Sequence, residues 1–211
     1  MSGKWSEKSS EELSQQLFVR QDESADEDFY VQPRFCTHID DATIDNLTHY
    51  YREAIPAQGK VLDLMSSWIS HLPDDQRYGA VSGLGMNLEE LAANKRLDDY
   101  CLQNLNQNPI LPYPSECFDA VLIAVSVQYL IRSQEVFNEI FRCLTSGGKC
   151  IVGMSHRLFP TKAIYAFHVL PPADRCRLVS GFMQKAGMVN VQVIDRSPAN
   201  ADPLWIVVGE K

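Results

Sequence analysis

Short apolar runs alternating with stretches of helical periodicity constrain this chain more than any other feature. The strongest run, Phe118–Val125 (FDAVLIAV), is nearly all apolar, as a strand covered on both faces must be. Lys60–Leu64, Gly79–Leu84, Tyr100–Gln103 and Lys149–Met154 read as four more strands. Before the first of them, Asp40 or Asp41 caps a predicted helix carrying Ile44, Leu47, Tyr51 and Ala54, which ends ahead of Pro56. A second helix opens at Asn87. A third, Gln134–Leu144, stripes Val136, Phe137, Ile140 and Leu144 and stops at Gly147-Gly148. A helical region between Thr161 and Gly187 is broken at Pro171-Pro172. Such alternation predicts right-handed crossovers and a parallel sheet with helices on both faces. The final strands, Asn190–Asp195 and Leu204–Gly209, lie about eight residues apart. That is too few for a helical crossover, so they form an antiparallel hairpin.

The chain has 211 residues, 45% of them hydrophobic, and a formal net charge of −8. No run of five basic residues occurs, which argues against wide contact with a phosphate backbone. Nucleic acid is therefore not the expected partner. The six cysteines are scattered, without CxxC or Cys/His ligand spacing, and read as reduced thiols in a cytoplasmic protein with no metal site. The opening MSGKWSEKSSEELSQQ lacks the apolar stretch of a secretory signal. The longest apolar stretch, Ala120–Val127, is far short of the roughly 20 residues a membrane helix needs. Residues 1–56 are expected to form an acidic arm and helical lid, and residues 57–211 the α/β domain. Within the arm, a short helix over Glu11–Val19 capped by Ser10 is predicted, and the charged stretch Asp22–Asp28 is expected to be solvated.

Five segments resemble, in order, the class I S-adenosylmethionine (SAM)-dependent methyltransferases. They are VLDL at 61–64, SGLGMNLEEL at 82–91, LPYPSECFDAVLI at 111–123, VFNEIFRCLTSGGKCIVG at 136–153 and LVSGFMQKAGMVNVQV at 178–193. The third and fourth are similar to the ubiquinone-biosynthesis-like (type 11) group. FYVQPRFCTHID together with VLDLMSSWISHLP resembles a subgroup whose cofactor loop lacks the usual glycines. The resemblance covers roughly residues 55–211. It implies a Rossmann-like seven-stranded sheet of order 3-2-1-4-5-7-6 with strand 7 antiparallel, SAM as cofactor and methyl transfer to a small molecule. Two departures stand out. Where the family has a GxGxG loop, this chain reads Met65-Ser66-Ser67-Trp68-Ile69-Ser70. Where the family's second strand ends in the acid that holds the ribose hydroxyls, it has Gly85.

Open α/β sheets bind ligands at the carboxyl ends of their strands, which places the candidate residues. The resemblance puts the cofactor's methionine end over Asp63, Met65, Ser66, Ser67 and Trp68. It puts the adenosine near Gly85, Met86 and Asn87, with Asn104 and Leu105 beside the adenine and Val125 on the wall. Asn87 or Glu89 is expected to reach the ribose through the space that Gly85 leaves. Alternatively, Asp63 and the two serines are helix caps and Trp68 is core. Tyr129, His156 and His38 are the candidate catalytic side chains. Tyr30, Arg34 and Arg157 are candidates for holding an anionic or polar acceptor, Tyr30, Arg34 and His38 from the lid. Each of these also has a plain packing or surface reading. Two functions remain open: SAM-dependent methyl transfer to a small molecule, and a catalytically silent methyltransferase-fold protein that binds a ligand or a protein. A nicotinamide enzyme is disfavoured, because GxGxxG is missing after the first strand.

Overall fold

The computed structural model describes residues 15–211. Among these, seven strands form one sheet in the order β3-β2-β1-β4-β5-β7-β6. The parallel strands are β1 (Lys60–Leu64), β2 (Ala80–Gly85), β3 (Asp99–Leu102), β4 (Phe118–Ala124) and β5 (Leu144–Met154). β6 (Val189–Asp195) and β7 (Trp205–Glu210) are antiparallel, with β7 inserted between β5 and β6. The fold expected from the sequence is the fold observed. Most strand ends differ from expectation by a single residue, and the large difference is at β5, which starts at Leu144, paired with Phe118 ahead of a register shift. Gly147 therefore does not end a helix. It sits at φ 77° inside this irregular strand start and donates its N–H to the Lys211 carbonyl at 2.9 Å.

β4 is apolar apart from Asp119 because both its faces are covered. Val121 and Ile123 pack in one cluster with Val136, Phe137 and Ile140 of α4 (Ser133–Cys143) and Val179 and Met183 of α6 (Pro172–Ala186). Ala120 and Leu122 pack in the other with Leu47 and Tyr51 of α2 (Asp41–Ala54). The Asp40 carboxylate caps α2 by accepting from the Thr43 N–H at 2.9 Å. Three short α-helices are also present among the described residues: α1 (Asp26–Tyr30), α3 (Leu88–Ala93) and α5 (Ala166–Val169).

The N-terminal segment corrects an expectation. Residues 11–14 of the helix predicted over Glu11–Val19, with its Ser10 cap, lie outside the described residues; Gln15 and Gln16 are helical and Leu17 already turns. Beyond it the acidic stretch is solvated only in part: Glu23, Glu27 and Asp28 are exposed, but Asp22 and Asp26 turn inward. Asp26 is only 4% exposed. It pairs with Arg20 at 2.6 Å and with the fully buried Lys162 at 3.6 Å, while Asp22 meets Lys162 at 3.2 Å. A buried ammonium needs anionic partners, and a sequence cannot show which carboxylates will come to it. Main-chain bonds reinforce the strap: Tyr165 and Ala166 donate to the carbonyls of Val19 and Leu17, and Asp22 donates to that of Thr161. No helix among the described residues is long and apolar enough to cross a membrane.

Candidate functional site

The loops after β1, β2, β3, β4 and β5 meet above the carboxyl edge of the sheet, and the segment from Asp26 to His38 roofs them. Between them lies a cavity of about 250 Å³. It sits just below the about 300–1,000 Å³ usual for small-molecule sites. Beside it a hollow of about 50 Å³ shares the walls Met65, Ser66, Ser67, His38 and Val125.

The β1 loop is built by side chains instead of glycines. Met65 takes the left-handed conformation (φ 59°) that a glycine would otherwise supply. The Ser66 N–H donates to the Leu84 carbonyl at 2.8 Å. Ser66 and Ser70 hydroxyls donate to one Asp63 oxygen at 2.5 and 2.7 Å. Ser67 donates to Glu90 at 2.7 Å, and Asn94 Nδ2 donates to the Ser67 carbonyl at 2.8 Å. Gly85 is required for this arrangement: a Cβ there would lie 2.3 Å from the Ser66 carbonyl oxygen. Space above Gly85 is thus taken by the loop itself. At the end of β4, Val125 is also left-handed (φ 46°), a costly conformation of about 1–3 kcal/mol for a β-branched residue. Its N–H and carbonyl are held by the Gly153 carbonyl and by Gln128 Nε2, each at 2.8 Å. Strain retained at the mouth of a cavity is the pattern expected of a functional site.

Most of the sequence-derived residues converge here: Tyr30, Arg34, His38, Met65, Ser66, Ser67, Gly85, Met86, Asn87, Asn104, Leu105, Val125, Tyr129 and Arg157 all line the cavity. Three do not. Asp63 is buried beneath the loop, caged by the two serines and bordering the small hollow. Trp68 lines that hollow and donates its Nε1–H to the Cys36 carbonyl at 3.1 Å. His156 is half-exposed outside the cavity, 3.2 Å from Asp202. Arg157 reaches the rim, but both Asp202 oxygens accept from its Nε at 2.9 Å. A carboxylate some forty-five positions away in the chain captured both side chains, which no local pattern announces. Asn87 caps α3 and donates to the carbonyls of Tyr30 and Val31, and Glu89 is exposed outside the cavity, so neither reaches into it as a free ribose partner. Asn104 Nδ2 is engaged by Glu27.

Several lining residues were missed by sequence reasoning. Glu90 is the main one: its carboxylate accepts from the Arg34 N–H and the Ser67 hydroxyl, both at 2.7 Å. Asn87-x-x-Glu90 carries the capping-box spacing, a signal that could have placed Glu90 in the first helical turn but not in a cavity. Asp26, Asn106, Leu158 and Phe159 were missed too, because they arrive from the strap and from loops distant in sequence. Ser126 was not missed: it follows the fourth strand, where the sequence places it facing the site, and it lines the cavity with a buried hydroxyl that has no partner among the described residues.

Burial pushes the Asp63 carboxyl up to about 6, against the lowering effect of its two serine donors. Burial, with His38 nearby, lowers His71 to about 4. His38 is lowered as well, first by burial. Burial raises the phenols of Tyr30 and Tyr129. The two buried groups act oppositely on stability. Asp63 favours the fold below its ordinary 3.8 and that contribution is lost as pH rises through about 6. His71 favours the fold above its ordinary 6.5 and that contribution is lost as pH falls through about 4. In thermal melts between pH 4 and 6, His71→Gln should therefore lose stability as pH rises. Asp63→Asn should gain stability across the same window, and the unaltered protein should be flatter than either. Parallel profiles for all three proteins would contradict this assignment.

Residues 67–152 match a family model described as a methyltransferase domain (Methyltransf_11). No curated protein matches the chain in sequence. Among solved structures, the cyclase SpnF is similar at 16% identity over 79% of this chain and 81% of its own, with a TM-score of 0.60. A SAM-dependent methyltransferase from Mesorhizobium loti is similar at 14% identity over 80% of this chain and 100% of its own, TM-score 0.56. Phosphoethanolamine N-methyltransferase 2 of Haemonchus contortus, solved with SAM, is similar at 14% identity over 79% of this chain and 52% of its own, TM-score 0.57. At these identities the likeness is one of fold. With this strand order and hairpin the chain has the class I SAM-dependent methyltransferase fold, and residues 67–152 within it match the methyltransferase-domain model.

Proposed function

We propose that the protein binds SAM and transfers its methyl group to a small-molecule acceptor, polar or anionic, in the cytoplasm. The observation that carries this reading is the cavity at the carboxyl ends of β1, β2 and β4, where this fold presents a donor. The residues present fit such a group. Ser126 offers a buried hydroxyl without a partner, and each Glu90 oxygen accepts one hydrogen bond and keeps a lone pair for a ribose hydroxyl. Met65–Ser67 would hold the methionine end, and Gly85–Asn87 with Asn104 and Leu105 the adenosine. SAM supplies a methyl group activated by its sulfonium. The protein's own task is mainly alignment. Where the acceptor must lose a proton, His38 is placed to take it: it lines the cavity, and its lowered pKa leaves an imidazole nitrogen unprotonated near neutral pH. Tyr129 is poorly suited to that role, since its oxygen accepts the Phe159 N–H at 2.8 Å and burial keeps its proton on. Residues 15–40 act as the lid over the α/β domain.

A second reading, a silent member of the fold that binds a ligand or partner, is favoured by one observation: the Ser66 carbonyl fills the place above Gly85. Calorimetry with SAM and S-adenosylhomocysteine separates the two. Saturable heat is expected, with a rise in Tm of about 5–10 °C at a hundredfold excess over Kd. Absence of heat and of any thermal shift at millimolar ligand would leave only the second reading.

A further inference from the structure

Phe159 is the hub of an aromatic cluster at the lid end of the cavity. Tyr129 stacks on it at 5.6 Å and 27°, while Phe29 and His38 meet it edge-on at 5.3 and 5.2 Å. The Arg34 guanidinium lies among these rings, with Cζ 4.5 Å from the Phe29 centroid, 5.3 Å from Phe159 and 5.7 Å from Tyr30. Its Nη2 donates to the Phe29 carbonyl at 2.9 Å, and its Nη1 makes a longer contact of 3.5 Å to the Gln32 carbonyl. Among the described residues it has no ion pair. Glu90 accepts from the Arg34 main chain instead of its side chain. The other cations near the cavity are matched: Arg157 by Asp202, and Arg20 and Lys162 by Asp26. A guanidinium fixed by ring faces and lacking a carboxylate is already oriented for one, because its planar fork pairs a carboxylate through two parallel hydrogen bonds.

Resting on the methyl-transfer reading above, we infer that the acceptor is a small aromatic or conjugated monocarboxylate, with its charge on Arg34 and its flat body among Tyr30, His38, Tyr129 and Phe159. Flat rings gain from stacked and edge contacts that an aliphatic chain does not make. The charge count sets the monoanion. Arg34 is the lining cation that has no ion pair among the described residues, and the Glu90 carboxylate lines the same cavity, so a second or third negative charge on the ligand, as on a diphosphate, would meet repulsion.

The test uses cinnamate, its neutral isostere cinnamamide, and hexanoate, titrated into the full-length protein with and without S-adenosylhomocysteine. Cinnamate should bind saturably, and cinnamamide and hexanoate each at least tenfold more weakly. Arg34→Gln should weaken cinnamate at least tenfold and Arg34→Lys by less. Phe159→Leu should weaken cinnamate but not hexanoate, which keeps the test open if Arg34→Gln does not fold. Equal binding of cinnamate and cinnamamide, equal binding of cinnamate and hexanoate, or indifference to both Arg34→Lys and Phe159→Leu overturns the inference. S-adenosylhomocysteine binding without cinnamate binding overturns this inference alone. Cinnamate binding without S-adenosylhomocysteine binding removes the methyl-transfer reading and leaves an aromatic-anion site.

Discussion

Replacing Asp26 with alanine is expected to cost about 3–5 kcal/mol of folding stability, the range for stripping a buried charge of its partner. The carboxylate is held on every side: Arg20 donates to Oδ1 at 2.6 Å, Lys162 lies 3.6 Å from the same oxygen, and Asn106 Nδ2 donates to Oδ2 at 2.9 Å. Lys162, fully buried, would keep Asp22 at 3.2 Å, but Arg20, 5% exposed, would keep only Glu23 at 3.6 Å and cannot turn to water, so the loss falls mainly on Arg20. Such a loss is a large part of the about 5–15 kcal/mol that holds a typical domain folded. Asp22→Ala is the control. That carboxylate is one-third exposed, and Lys162 keeps the Ser24 carbonyl at 2.7 Å, so the effect should be small. Urea denaturation of the three proteins measures the difference. A change below about 1 kcal/mol for Asp26→Ala, the size of a surface pair, would mean that the strap is not anchored by its charges. Because Asp26 also lines the cavity, the same variant should weaken ligand binding by loosening the roof.

Gly85→Ala should disable the site while leaving the protein folded. The new Cβ would sit 2.3 Å from the Ser66 oxygen and 3.1 Å from Leu91 Cδ2, so the β1 loop must move away. Movement breaks the bond from Ser66 N–H to the Leu84 carbonyl and opens the serine cage around Asp63. Overpacking of this kind costs about 1–3 kcal/mol. A displaced loop should lower S-adenosylhomocysteine affinity about 100-fold, near 2.7 kcal/mol. Gly85→Asp is the sharper variant. It restores the acid usual at this place in the superfamily, yet here it should bind no better than alanine, because the carbonyl of Ser66 already fills the space. Tighter binding by Gly85→Asp, read by calorimetry, would show that the loop yields and that the ribose site is merely vacant of its acid.

The sheet was legible in the sequence because each of its signals is local. A run such as FDAVLIAV can only be a strand covered on both faces, and the short spacing before Trp205 forbids anything but a hairpin. Strand ends then located the cavity, so the loop residues Met65–Ser67, Gly85–Asn87, Asn104, Leu105, Val125 and Tyr129 could be placed from topology together with the family resemblance. Long-range charge pairing decided the remainder. Asp202 drew His156 and Arg157 outward, leaving His38 as the cavity's imidazole and Arg34 as its unmatched cation. Lys162 drew Asp22 and Asp26 inward, so that a stretch expected to be solvated throughout is in part a roof. Likewise the serines that replace the glycine loop reveal their purpose only in three dimensions, where they satisfy the buried Asp63 and press a carbonyl onto Gly85. Periodicity and turn chemistry act between neighbours in the chain, so the sequence determined the sheet. The choice of which buried charge meets which partner is made between segments far apart in sequence, and only the folded structure makes it.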